Sequence, residues 1–174
     1  MSNPPKKRNR ALPLLIVLGL AGACIPCTGV LAAVAIPSFI GYVRRSKTSE
    51  AHANLAVLAR GVVAAYENEQ LQPDGTVARR LPPALSATPG MPGPERQAWP
   101  PSADPGWAAL GFAPPPVYYA YEYAPDLDGR GFVVRAHGDL DGDGVRSLFE
   151  IRGTIDPAAD ELVLAPIAMT NELE

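Results

Sequence analysis

Twelve residues of this sequence, DLDGDGVRSLFE (139–150), have the types and the spacing to hold a cation. Asp139, Asp141, Asp143, Gly144 and Glu150 stand at positions 1, 3, 5, 6 and 12 of a calcium loop of the EF-hand pattern. Calcium takes about six to eight oxygens. The three alternating carboxylates, the backbone carbonyl of Val145 and a bidentate Glu150 would supply most of them. Ser147 could add a contact through water. Three aspartates at alternate positions also repel one another, and a cation relieves that repulsion. Arg146 stands where such loops carry an apolar residue, and the flanks read as strands. The expected form is therefore a calcium loop on a β-hairpin. The plain alternative is a solvated Asp-Gly turn whose carboxylates face water. PDLDGRG (125–131) is a shorter echo, with Asp126 and Asp128, and reads as a turn.

Few other residues could do chemistry. Cys24 and Cys27 have redox spacing, CIPC, but sit within an apolar run where thiolates would be costly. They read as packing residues. LAGAC (20–24) leaves open a lipoprotein attached at Cys24, although an apolar stretch follows where a polar tether is expected. His52 and His137 are the only histidines. Neither has a partner recognisable from sequence. No nucleophile elbow, phosphate loop or Cys/His set with zinc spacing occurs. The expectation is a protein that is not an enzyme and takes no small-molecule substrate.

The charge is unevenly distributed. The 174 residues carry a formal net charge of −3. Residues 1–47 hold Lys6, Lys7, Arg8, Arg10, Arg44, Arg45 and Lys47 and no acid. Residues 48–174 hold eight arginines against eighteen acids, a net −10. A body this acidic argues against nucleic acid as a partner, since phosphate contacts need Lys and Arg. Between Ala11 and Val43 there is no charged residue, a run longer than the ~20 residues that span a bilayer. The basic tail before it leans toward a cytoplasmic N-terminus. A cleaved signal peptide competes with a retained anchor, but the run exceeds a usual signal core and leads straight into a helical pattern.

These features fix the expected organisation. Residues 1–10 form a basic cytoplasmic tail, and 11–43 a transmembrane half of one long helix. Residues 44–70 form its amphipathic half, with Leu55, Leu58, Val62 and Tyr66 spaced three and four apart beside Ala51, Ala59 and Ala65. The helix is expected from about Leu14 to about Gln70. Residues 71–116 are a proline-rich loop region whose Trp99, Trp107, Leu110 and Phe112 should dock it on the rest. Residues 117–174 hold the strand signals VYYAYEY, GFVVRA, SLFEIRG and the weaker ELVLA, joined by Asp/Gly turns that favour antiparallel pairing. The fold class is α+β. A three- or four-stranded antiparallel sheet lies on the long helix, because that buries both apolar faces.

The stretch LAAVAIPSFIGYVRRSKTSEA, continued by ANLAVLARGVVAAYE, resembles the N-terminal helix of type IV pilins and pilin-like proteins. The resemblance is carried by roughly residues 28 to 70, through the Ala-Ile-Pro step and the Arg-Ser-Lys-x-x-Glu-Ala run. It implies one helix that is both membrane anchor and filament core. It implies a structural protein of the bacterial inner membrane, single-pass, with a periplasmic C-terminal domain, or displayed in a cell-surface filament. Its implied partners are the membrane and other pilin-like subunits or assembly proteins, met through the helix. The family's cleavage-site Gly would fall near Leu15 and its following Glu near Leu20, and neither is there. A permanently anchored, uncleaved extracytoplasmic domain that binds calcium or a protein partner is therefore the second expectation.

Overall fold

A computed structural model describes residues 11–68, 70–71 and 75–173, with side chains from residue 29 onward except those of 70 and 71. The chain divides into two units at Tyr42/Val43. The first helix, α1, spans Ala11–Glu67, so it ends a few residues before the Gln70 expected from the pattern. In the first unit, the side chains of Val30, Leu31, Val34, Ile36, Phe39, Ile40 and Tyr42 are 48–70% exposed. At 3.6 residues per turn these positions face all directions around the helix.

The second unit, Val43–Glu174, begins with the amphipathic half of α1. Ala51, Leu55, Leu58, Ala59 and Val62 are fully buried and Tyr66 is nearly so. This is the stripe that the spacing predicts. A two-stranded ribbon follows, β1 (Gln70–Leu71) against β2 (Val77–Ala78). The proline-rich zone then contributes β3 (Leu85–Thr88) and a short helix α2 (Pro105–Ala109), which Asp104 caps by accepting from the Gly106 N–H. Pro105 opens α2, where its missing donor costs nothing.

The remaining strands are β4 (Ala120–Pro125), β5 (Gly131–Gly138), β6 (Ser147–Asp156), β7 (Glu161–Leu164) and β8 (Ala168–Thr170). They form an antiparallel six-stranded sheet in the order β3-β4-β5-β6-β7, with β8 also pairing β6. The expected meander is present, but the sheet is larger than three or four strands. β3 extends one edge from inside the proline-rich zone, and β8 shares the other edge with β7. Tyr119, Tyr121 and Tyr123 share the buried face, as the alternation predicts. They join Phe132, Val134, Phe149 and the α1 stripe in one core. Trp107, Leu110 and Phe112 are buried in the same core, with Trp99 packed against it. Trp99, Trp107, Phe112 and Tyr121 meet at ring-centroid distances of 5.2–5.6 Å, mostly edge to face.

Candidate functional site

The acidic turn is the connection between β5 and β6. Register holds its two ends together, since Gly138 pairs with Ser147. Leu140 is buried and pins the loop to the core, so the aspartates on either side of it are thrown outward. Gly142 and Gly144 take positive φ of 78° and 90°. Only glycine adopts such angles freely, and they curl the loop over its own carboxylates. Asp139 accepts from the N–H of Gly142 (2.8 Å) and of Gly144 (3.3 Å). Asp141 accepts from Asp143 N–H (3.3 Å), and Asp143 from Val145 N–H (2.7 Å). The result brings one carboxylate oxygen of each of Asp139, Asp141 and Asp143 within 4.8 Å of one another.

Glu150 is engaged elsewhere. Glu150 lies in β6, opposite Arg135 of β5. Its carboxylate accepts from Arg135 Nε and forms an ion pair with Arg152 Nε, each at 2.9 Å. Ser147 is fully buried at the start of β6, beside the Tyr119 hydroxyl. Val145 is half exposed, and its backbone N–H is the group bonded to Asp143. Arg146 turns away and donates to Met91 Sδ at 3.0 Å. The chemistry of the three aspartates fits a hard cation that prefers oxygen. Reaching Glu150 as a further ligand would require breaking two ion pairs.

Two residues of α1 that were not expected to take part reach distant segments, and one of them, Arg44, touches the loop. Arg44 of α1 donates to Asp141 Oδ2 at 2.8 Å and to the carbonyl of Leu173 at 3.2 Å. Glu50 of α1 accepts from the backbone N–H of Tyr118 at 2.8 Å and lies 3.6 Å from Arg96. Burial pushes the Glu50 carboxyl above the usual carboxylate range, against the lowering effects of those two partners. Lys47, also on α1, donates to the Pro94 carbonyl at 2.9 Å and sits 4.4 Å from the Tyr118 ring centroid. Arg96 flanks the same ring at 5.0 Å. No local signal reveals these contacts, because they join residues far apart in the chain.

The histidines stand apart. His52 packs edge-on against Phe149, and His137 lies 3.1 Å from Glu122. Glu122 also takes Arg135, so the solvent face of the sheet carries a ladder Glu122–Arg135–Glu150–Arg152. An open groove of about 830 Å³ lies beside the end of α1. Leu81, Pro82, Pro83, Leu85 and Leu110 line it, with Arg80 among its few polar groups.

Among the described residues no helix is long and apolar enough to cross a membrane. The expected transmembrane half depends on residues 11–28, whose side chains lie outside the described set, as do Cys24, Cys27 and the basic tail. No family model, curated protein or solved structure matches the chain.

Proposed function

We propose that this chain is a type IV pilin-like structural protein, held in the bacterial inner membrane by its N-terminal helix, with the N-terminus cytoplasmic and the acidic domain periplasmic. It serves as a minor component of a pilus or of a type II secretion-like filament, and it is not an enzyme. The observation that carries the reading is the apolar surface of α1. Seven large apolar side chains between Val30 and Tyr42 are exposed on every side of the helix. A helix that is apolar all round needs lipid or other helices against it. The uncharged run from Ala11 to Val43 would extend about 50 Å as a helix, against a hydrocarbon core of about 30 Å. The surplus length is available to other subunits.

The charges agree with that orientation. Four basic residues precede the run. Of the three that follow, Arg44 and Lys47 are engaged by the domain itself, and only the Arg45 side chain lacks a partner among the described residues.

A second reading keeps the anchor but removes the filament: an uncleaved membrane-resident domain that binds calcium. The clustering of Asp139, Asp141 and Asp143 favours it. The two readings, and the lipoprotein attached at Cys24, separate on one experiment. Intact mass and N-terminal sequence are measured on protein extracted from its native membrane. A new terminus between about Leu14 and Gly22 supports the pilin reading. A full-length N-terminus supports the permanent anchor. A diacyl mass on Cys24 ends both.

A further inference from the structure

Every carboxylate of the acidic loop is turned onto its own backbone. One oxygen is treated differently. Asp141 Oδ2 meets a cation, the guanidinium of Arg44, at 2.8 Å. Arg44 stands 97 residues away in sequence, on α1. Its second nitrogen holds the Leu173 carbonyl at 3.2 Å. Both partners of the ion pair are about a quarter exposed, at 27% and 26%. Three carboxylates drawn this close repel one another, and the repulsion must be offset by positive charge. Arg146, the cation within the loop, is turned to Met91 instead.

We infer that Arg44 is the resident counter-ion of the acidic loop. It ties residues 139–143 and the Leu173 carbonyl to α1 without any metal. A divalent cation seated on all three aspartates competes with Arg44 for the charge of Asp141, so cation capture weakens Arg44's hold on the loop and on the Leu173 carbonyl. The counter-ion role stands on geometry alone; the competition with a cation rests on the calcium reading above. The expected coupling is modest, because an exposed ion pair shifts an equilibrium by about fivefold at most.

The test uses the detergent-solubilised full chain, as wild type, Arg44→Gln and Arg45→Gln. Amide hydrogen exchange is followed by mass spectrometry in a calcium chelator, and calcium binding by isothermal titration. In chelator, Arg44→Gln should speed exchange at residues 140–145 and at the C-terminal end by about fivefold, while Arg45→Gln leaves both unchanged. Calcium should bind Arg44→Gln about fivefold more tightly than wild type and restore the lost protection. A wild-type loop that exchanges freely until calcium is added, or an Arg44→Gln loop that exchanges like wild type, overturns the counter-ion role. Equal calcium affinity in the two chains overturns the competition while sparing the calcium reading. If neither chain binds calcium but Arg44→Gln still loosens the loop, the counter-ion role holds and the calcium reading fails.

Discussion

Glu50 shows how a single carboxylate can be useful and costly at once. It anchors the backbone of Tyr118, yet burial raises its pKa above the ordinary carboxylate value. A carboxyl whose pKa is higher folded than unfolded binds protons more readily in the folded state. Its stabilising contribution is complete below the unfolded value and is lost as pH rises through the folded one. Glu50 therefore makes the domain relatively more stable on acidification. Glu50→Gln keeps an acceptor for Tyr118 and removes the titration. Chemical denaturation at about pH 7 and about pH 4 should show wild type gaining on the variant at the lower pH. The opposite trend would mean that the hydrogen bonds and Arg96 outweigh burial. Glu50 also marks what a linear sequence hides. The alternation of Asp139, Asp141 and Asp143 is local, so their convergence was legible. The engagement of Glu150 by Arg135 follows from sheet register, and that of Asp141 by Arg44 from tertiary packing. Neither is encoded in spacing.

At the scale of elements, the strongest periodicities were legible. The Leu55–Leu58–Val62–Tyr66 stripe and the alternating tyrosines both lie where their periods put them. β3 was hidden because its four residues sit among prolines, which can be accommodated at a sheet edge. β8 was hidden because all three of its residues are exposed and carry no alternation. The approach of α1 to the residues after α2 was also invisible, although Gly61 sits within the stripe region. A Cβ at Gly61 would lie 2.1 Å from the Leu110 carbonyl oxygen. That oxygen is backbone, so it cannot swing aside as a side chain would. Gly61→Ala must shift α1 or the segment behind it, and overpacking of this kind costs about 1–3 kcal/mol. Helix propensity favours the alanine by up to about 1 kcal/mol, so the net loss should be visible but reduced. Equilibrium denaturation should place the variant below wild type; a more stable variant would show that the two segments can part without cost.

For the whole chain, the boundary at Tyr42/Val43 bears on where the domain can be cut. A cut just before Thr48 would leave the whole buried stripe of α1 in the domain. Thr48 is itself buried. The contacts argue for an earlier start. Arg44 reaches Asp141 and Leu173, and Lys47 reaches Pro94 and the Tyr118 ring. A chain from Val43 keeps them all and carries eleven cations against eighteen acids, a net −7 that favours solubility. A chain from Thr48 loses both cations from the base of the domain. Each exposed ion pair or cation–π contact contributes about 1 kcal/mol or less. The core that this shorter chain retains stabilises it far more, since the α1 stripe, the tyrosines and the Trp107–Phe112 cluster all lie beyond the cut. Both chains should therefore be soluble and give a folded near-ultraviolet circular dichroism spectrum. The Thr48 chain should unfold about 1–2 kcal/mol more easily in denaturant. Equal stability would mean that Arg44 and Lys47 contribute nothing to the fold. A molten spectrum from the Val43 chain would mean that the domain needs the apolar half of α1 to hold its core.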